Sequence, residues 1–157
     1  MAQKAFRLLA VGSLRSPHWK AAAAHYLERL GHWRTVHQQL VKDADARLPE
    51  AERIRQEGHA LLQAQKGDEH LICLDERGKS MSSLDFALFL QHICEQTSRT
   101  PCFILGGAFG LAQELRDKAH TIFSLGPMTL PHELARVVLL EQLYRAESIL
   151  RKSQYHH

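Results

Sequence analysis

At 157 residues with 45% hydrophobic content, the chain is long enough for one domain with a sizeable core. Its formal charge of +3 permits an RNA partner but is low for a dedicated non-specific nucleic-acid binder. The start of the chain lacks the apolar stretch of a signal peptide and no run is long enough to span a bilayer, so a cytoplasmic protein without membrane contact is expected.

In chain order, strand and helix signals alternate. Phe6 to Gly12 reads as a buried strand. Ser16 can cap a helix with Pro17 in its first turn, and Gly31 can close it. Thr35 to Val41 alternates weakly and reads as a second strand. Pro49 opens a helix ending near Gly67. His70 to Asp75 is a strand, followed by a turn over Glu76 to Lys79. Ser82 or Ser83 caps a third helix that runs to about Thr97. Pro101 bounds the strand Cys102 to Leu105. A short helix over about Ala112 to Ala119 leads to the strand Thr121 to Leu125, and the final helix covers about Pro131 to Lys152. Strands separated by helices imply a single α/β domain over residues 1–157, with a mostly parallel sheet covered on both faces.

Cys73, Cys94 and Cys102 are odd in number and lack CxxC spacing; Cys73 and Cys102, in apolar runs, read as small buried hydrophobes in a reducing compartment. Eleven histidines raise the question of a metal. His18, His25 and His32 recur at sevens without Cys or carboxylate partners at ligand spacing, so they mark a solvated face and no metal is expected. His132 sits at a helix start, where an N-terminal-turn role is the default. The final helix is apolar over more than one face, with Leu134, Val137, Val138, Leu140, Leu143, Tyr144, Ile149 and Leu150. Such an arc needs two packing partners: either neighbours within one domain, or the sheet on one side and a second subunit on the other.

Two loops carry most of the functional information. The apolar run Phe103-Ile-Leu ends in Gly106-Gly107-Ala-Phe-Gly110, which has neither GxGxxG spacing nor a following GK[ST]. These glycines alone require only a tight strand-to-helix turn. The second loop, Leu125-Gly126-Pro127-Met128-Thr129-Leu130, has few ionisable groups and offers backbone polar groups beside aliphatic side chains. That environment suits a flat purine read by main-chain hydrogen bonds.

The residues Leu74-Asp75-x-x-Gly78-Lys79, Ile104-Leu-Gly-Gly-x-x-Gly110, Ser124-Leu125, Thr129-Leu-Pro-His132, Arg136-Val-x-x-x-Glu141-Gln-Leu-Tyr144-Arg145-Ala and Tyr155-His156 together resemble the RlmH (YbeA-type) family of SPOUT methyltransferases. The resemblance covers essentially the whole chain and is strongest toward its end. It implies methylation of N3 of a pseudouridine in 23S rRNA with S-adenosylmethionine as cofactor. It also implies a deep trefoil knot in the C-terminal part of the fold. The two-sided final helix points to a twofold homodimer that buries part of Val137, Leu140 and Tyr144, and the short tail beyond it to an active site at or near the subunit interface; the low charge and small surface point to the large ribosomal subunit or assembled ribosome as substrate. By matched position, Leu74 lines the cofactor pocket, Gly106 and Gly107 allow close backbone approach, and Leu125, Gly126, Pro127, Met128, Thr129 and Leu130 form the loop around the cofactor. Tyr155 and His156 belong to a tail that contributes to catalysis and RNA binding. The family tail usually continues with arginine, where this chain has His157.

Methyl transfer to a ring nitrogen requires donor and acceptor near attack distance and loss of the nitrogen's proton. His156 is the tail group best suited to accept that proton near neutral pH; Tyr155 or water could also serve. The ring of Tyr155 could stack on the exposed base. The competing class is a flavodoxin-like module that binds a nucleotide or the ribosome without chemistry, which the alternation of elements alone does not exclude.

Overall fold

The structure, a computed structural model, describes residues 3–156, with His156 described by its backbone alone. Five parallel strands, β1 (Phe6–Val11), β2 (Val36–Val41), β3 (Glu69–Ser80), β4 (Thr100–Leu105) and β5 (Thr121–Ser124), form one sheet in the order β2-β1-β4-β3-β5. The intervening helices are α1 (Pro17–Gly31), α2 (Glu50–Ala64), α3 (Ser83–Gln96), α4 (Gln113–Lys118) and α5 (His132–Leu150), followed by a short 3-10 turn at Gln154–His156.

Alternation of side chains along each strand divides the core in two. Phe6, Leu8, Ala10, Ile72, Phe103, Leu105 and Phe123 face one side, where they pack with residues of α1, α3 and α5. Leu9, Val11, Leu71, Cys73, Cys102 and Ile104 face the other, against Leu61 of α2 and Leu115 of α4. Cys73 and Cys102 are fully buried, as their apolar surroundings suggest, and burial pushes the Cys73 thiol up to about 12.

Local signals set most boundaries. Pro17 sits in the first turn of α1, and Ser82 caps α3 by accepting the Asp85 N–H at 3.0 Å. α2 stops at Ala64, short of Gly67, and β3 does not end at Asp75. Its pairing with β5 breaks after Leu74↔Phe123 and resumes at Lys79↔Phe123, so residues 75–78 bulge out of the ladder where a simple turn was expected.

α5 lies between α1 and α3, which accounts for its wide apolar arc within one chain. Val137, Leu140 and Tyr144 are buried there, so these side chains are not available to a subunit contact. On the remaining face of α5, Glu141–Arg145 and Glu147–Arg151 form i,i+4 ion pairs at 2.5 and 3.3 Å. Glu147 is more than a surface partner: it is buried and paired with Arg34, which fastens α5 to the start of β2. His18, His25 and His32 are all exposed. Among the described residues no helix is long and apolar enough to cross a membrane.

Candidate active site

Leu105 and Leu125 lie at or just beyond the carboxyl ends of β4 and β5, and Leu74 lies where β3 leaves the ladder for its bulge, at the edge where crevices form in open α/β sheets. The loops leaving these strands enclose a cavity of about 810 Å³. Of the residues expected to hold a cofactor, Leu74, Gly106, Gly107, Leu125, Gly126, Met128, Thr129 and Leu130 line it. Pro127 does not; it sits exposed at the outer turn of its loop.

The β5–α5 loop is held open by its own geometry. Gly126 has φ +140°, and the Ser124 hydroxyl accepts its N–H at 3.1 Å while donating to its carbonyl at 2.7 Å. Thr129 donates to Glu76 of the β3 bulge at 2.6 Å. Among the described residues, the N–H groups of Met128, Thr129 and Leu130 have no partner within the chain. Unpaired main-chain donors beside Leu74, Leu105, Leu125 and Leu130 provide what a flat purine needs: aliphatic faces and backbone hydrogen bonds at its edge.

Within the chain itself, Gly106 is required by the turn it opens. A Cβ there would fall 2.5 Å from the carbonyl oxygen of Gly110, across a tight turn closed by Gly110 N–H to Gly107 O at 3.1 Å. The missing side chain makes room for the protein's own backbone.

Charged groups brace the cavity. The Asp75 carboxylate meets Arg116 at 3.1 Å, and Arg116 also donates to the Leu111 carbonyl at 2.8 Å. On the α5 side, Glu133 accepts the Arg15 N–H, a bond that holds its carboxyl below the usual range. Arg136 is buried and donates to the Val11 carbonyl at 2.9 Å, tying α5 to the end of β1. Asp75, Arg116, Phe109, His132 and Ala135 all line the cavity, and sequence reasoning assigned none of them to it. Asp75 stood in the recognised pattern; for Arg116 and Ala135 the sequence carries no local signal.

Tyr155 lies elsewhere. Its ring packs edge-on against Tyr144 at 4.5 Å, between Arg29 and Arg145, and its hydroxyl donates to Glu141 at 3.4 Å. The cavity touches α5 at His132 and Ala135, six or more residues earlier, a distance of about 9 Å or more along the helix. One chain therefore does not bring Tyr155 to the cavity. Burial, a hydrogen bond with Tyr26 and the Glu141 charge push the Tyr155 phenol up to about 12, which makes it a poor proton acceptor in this setting. The His156 side chain and His157 lie outside the described residues. Among the described residues no group of three or more His, Cys, Asp or Glu is placed to hold a metal ion.

Fold and cavity define an α/β protein with a ligand-sized cleft of mixed apolar and charged lining at the carboxyl-end side of its parallel sheet. The sequence model of the family described as "Predicted SPOUT methyltransferase" matches residues 5–156. The chain is 53% identical over 154 residues to the "Ribosomal RNA large subunit methyltransferase H" of Nitratidesulfovibrio vulgaris (strain Miyazaki F), covering 98% of this chain and 99% of that protein. It is 48% identical over 157 residues to the protein of the same name from Lawsonia intracellularis, covering both completely. Its fold is also that of a probable methyltransferase from Bordetella pertussis (TM-score 0.57, 16% identity, 92% of this chain and 95% of that one). The chain belongs to the SPOUT methyltransferase family.

Proposed function

We propose that this chain is an S-adenosylmethionine-dependent methyltransferase that acts on N3 of a pseudouridine in bacterial 23S rRNA, within the large subunit or the assembled ribosome, in the cytoplasm. Near full-length identity of about half to ribosomal RNA large subunit methyltransferases supports the substrate. The observation that carries the cofactor assignment is the cavity: its volume, aliphatic lining and unpaired loop N–H groups fit an adenosine moiety. Leu74, Leu105, Leu125 and Leu130 would flank the adenine, and Met128 to Leu130 would read its edge. When bound, the cofactor supplies an electrophilic methyl group on a sulfonium. The protein contributes orientation, exclusion of water and removal of the acceptor's proton.

The position of Tyr155 supports a shared site. Its own cavity is out of reach, so the tail of one subunit would serve the cavity of its twofold partner. His156 is the proposed proton acceptor of that tail, with the elevated Tyr155 phenol the poorer candidate. The knot implied by the family resemblance belongs to the same proposal.

Calorimetry with S-adenosylmethionine tests the cofactor assignment. Wild type is expected to bind in the micromolar range, and Ala135→Trp, which fills the cavity from a helical position, is expected to lose binding while remaining folded. Failure of the wild type to bind, with tight binding of a flavin or a nucleoside triphosphate instead, contradicts the proposal.

A further inference from the structure

Phe109 is a large aromatic residue left 44% exposed on the β4–α4 loop, at the rim of the cavity. It stands outside both apolar cores. It carries instead the guanidinium of Arg53, from α2, 4.8 Å from its ring centroid. The Arg53 side chain makes no hydrogen bond or ion pair among the described residues, and its Nε is buried without a partner. Beside this pair a second hollow of about 140 Å³ opens next to the first, lined by Ser13, Arg15, Arg53 and His132. Two acids also border it, and both are engaged: Asp43 lies 3.5 Å from Arg15, and Glu133 accepts the Arg15 N–H. Among the described residues Arg53 is left without an ion-pair partner; the Asp45 carboxylate, which its charge reaches, is paired with Arg47 at 2.6 Å.

An exposed ring backed by an unpaired guanidinium suits a ligand that is both flat and anionic. S-adenosylmethionine does not match that description as well, because its single carboxylate is accompanied by a sulfonium and an ammonium, and its adenine is proposed to lie among Leu74, Leu105, Leu125 and Leu130. A nucleotide of single-stranded RNA does: its base stacks on an aromatic face and its phosphate takes the arginine. We propose that Phe109 and Arg53 form a recognition subsite for one unstacked nucleotide of the RNA substrate, adjacent to the one that receives the methyl group. The base stacks on Phe109, and a neighbouring phosphate meets Arg53 at the mouth of the hollow lined by Ser13 and Arg15. This subsite rests on the reading of the protein as an RNA methyltransferase.

The test is steady-state methyl transfer to ribosomes lacking the modification, at saturating S-adenosylmethionine, with cofactor affinity measured separately by calorimetry. Phe109→Ala is expected to raise KM for ribosomes about tenfold or more, the range found when a stacking aromatic is removed. Phe109→Trp should restore KM, and Phe109→Leu should not, since leucine supplies bulk without a π face. Arg53→Gln should raise KM and lower the slope of log affinity against log salt by about one, as for loss of one phosphate contact. A wild type that methylates ribosomes, with Phe109→Ala unchanged in KM or equally rescued by leucine, overturns the subsite alone. Phe109→Ala that weakens S-adenosylmethionine binding as much as it raises KM also overturns it, by assigning the ring to the cofactor. A wild type that transfers no methyl group overturns the proposed function and the subsite with it.

Discussion

The Asp75 carboxylate lies 3.1 Å from the Arg116 guanidinium, and this contact joins the β3 bulge to α4. Both side chains are nearly buried, at 9% and 13% exposure. Since Arg116 also holds the Leu111 carbonyl, it braces two of the three loops around the cavity. Arg116→Ala would leave Asp75 poorly compensated in a partly desolvated place. A loss of about 1–3 kcal/mol of stability is expected in urea denaturation, with S-adenosylmethionine affinity falling about tenfold. Unchanged affinity would show that the brace does not shape the cavity.

The buried face of α5 gives a second prediction. Leu140 is fully buried between α1, α3 and the sheet. Leu140→Asp is expected to unfold the chain, costing about 3–5 kcal/mol or more, since it places an unpaired charge in the core. Circular dichroism of the variant decides the matter. A folded but monomeric variant would mean that this side chain belongs to a subunit contact after all.

A third concerns acid. His70 is half-buried, stacked on His120 at 4.8 Å, with Arg99 and His92 nearby. Burial first, then these positive neighbours, lower its pKa from the usual 6.5 to about 4. A histidine with a depressed folded pKa favours the native state when neutral. Its contribution is therefore complete above about pH 6.5 and is lost as pH falls from there toward 4. Thermal midpoints should drop through that window, and His70→Gln should flatten the drop. An equal drop in the variant would assign the acid sensitivity to other groups.

The alternation of elements was legible because each strand is a compact apolar run and each helix has its own cap or punctuation, as at Pro17 and Ser82. The cavity-lining loops were legible because glycines and uncharged residues cluster at strand ends, as at Gly106 and Leu125 to Leu130. What stayed hidden depends on distant partners. The resumption of β3 at Lys79 is set by pairing with Phe123, 44 residues on. The wide arc of α5 looked the same whether its second neighbour was another helix or another subunit. Arg116 and Asp75 meet across 41 residues with no local pattern to join them. The tight turn at Gly106 was legible from the paired glycines, but its specific constraint, the carbonyl of Gly110, is visible only once the turn is closed.

The tail gives a fourth prediction. Deleting residues 155–157 should leave S-adenosylmethionine binding within about twofold and reduce methyl transfer by about 100-fold or more, as expected for loss of a proton acceptor and positioning group. Mixed dimers test the sharing. A tail-less subunit supplies an intact cavity, and an Ala135→Trp subunit supplies an intact tail. Their pairing should return activity toward half that of wild type, while each parent stays inactive. Inactive mixed dimers would place the tail in its own subunit's site.

The most direct measurement is labelled methyl transfer from S-adenosylmethionine to ribosomes lacking the modification, followed by mapping of the methylated base. Label on N3 of one pseudouridine in 23S rRNA, abolished by Ala135→Trp and by removal of residues 155–157, is the predicted result. No label, or label on a different atom or on a different RNA, would contradict the assignment.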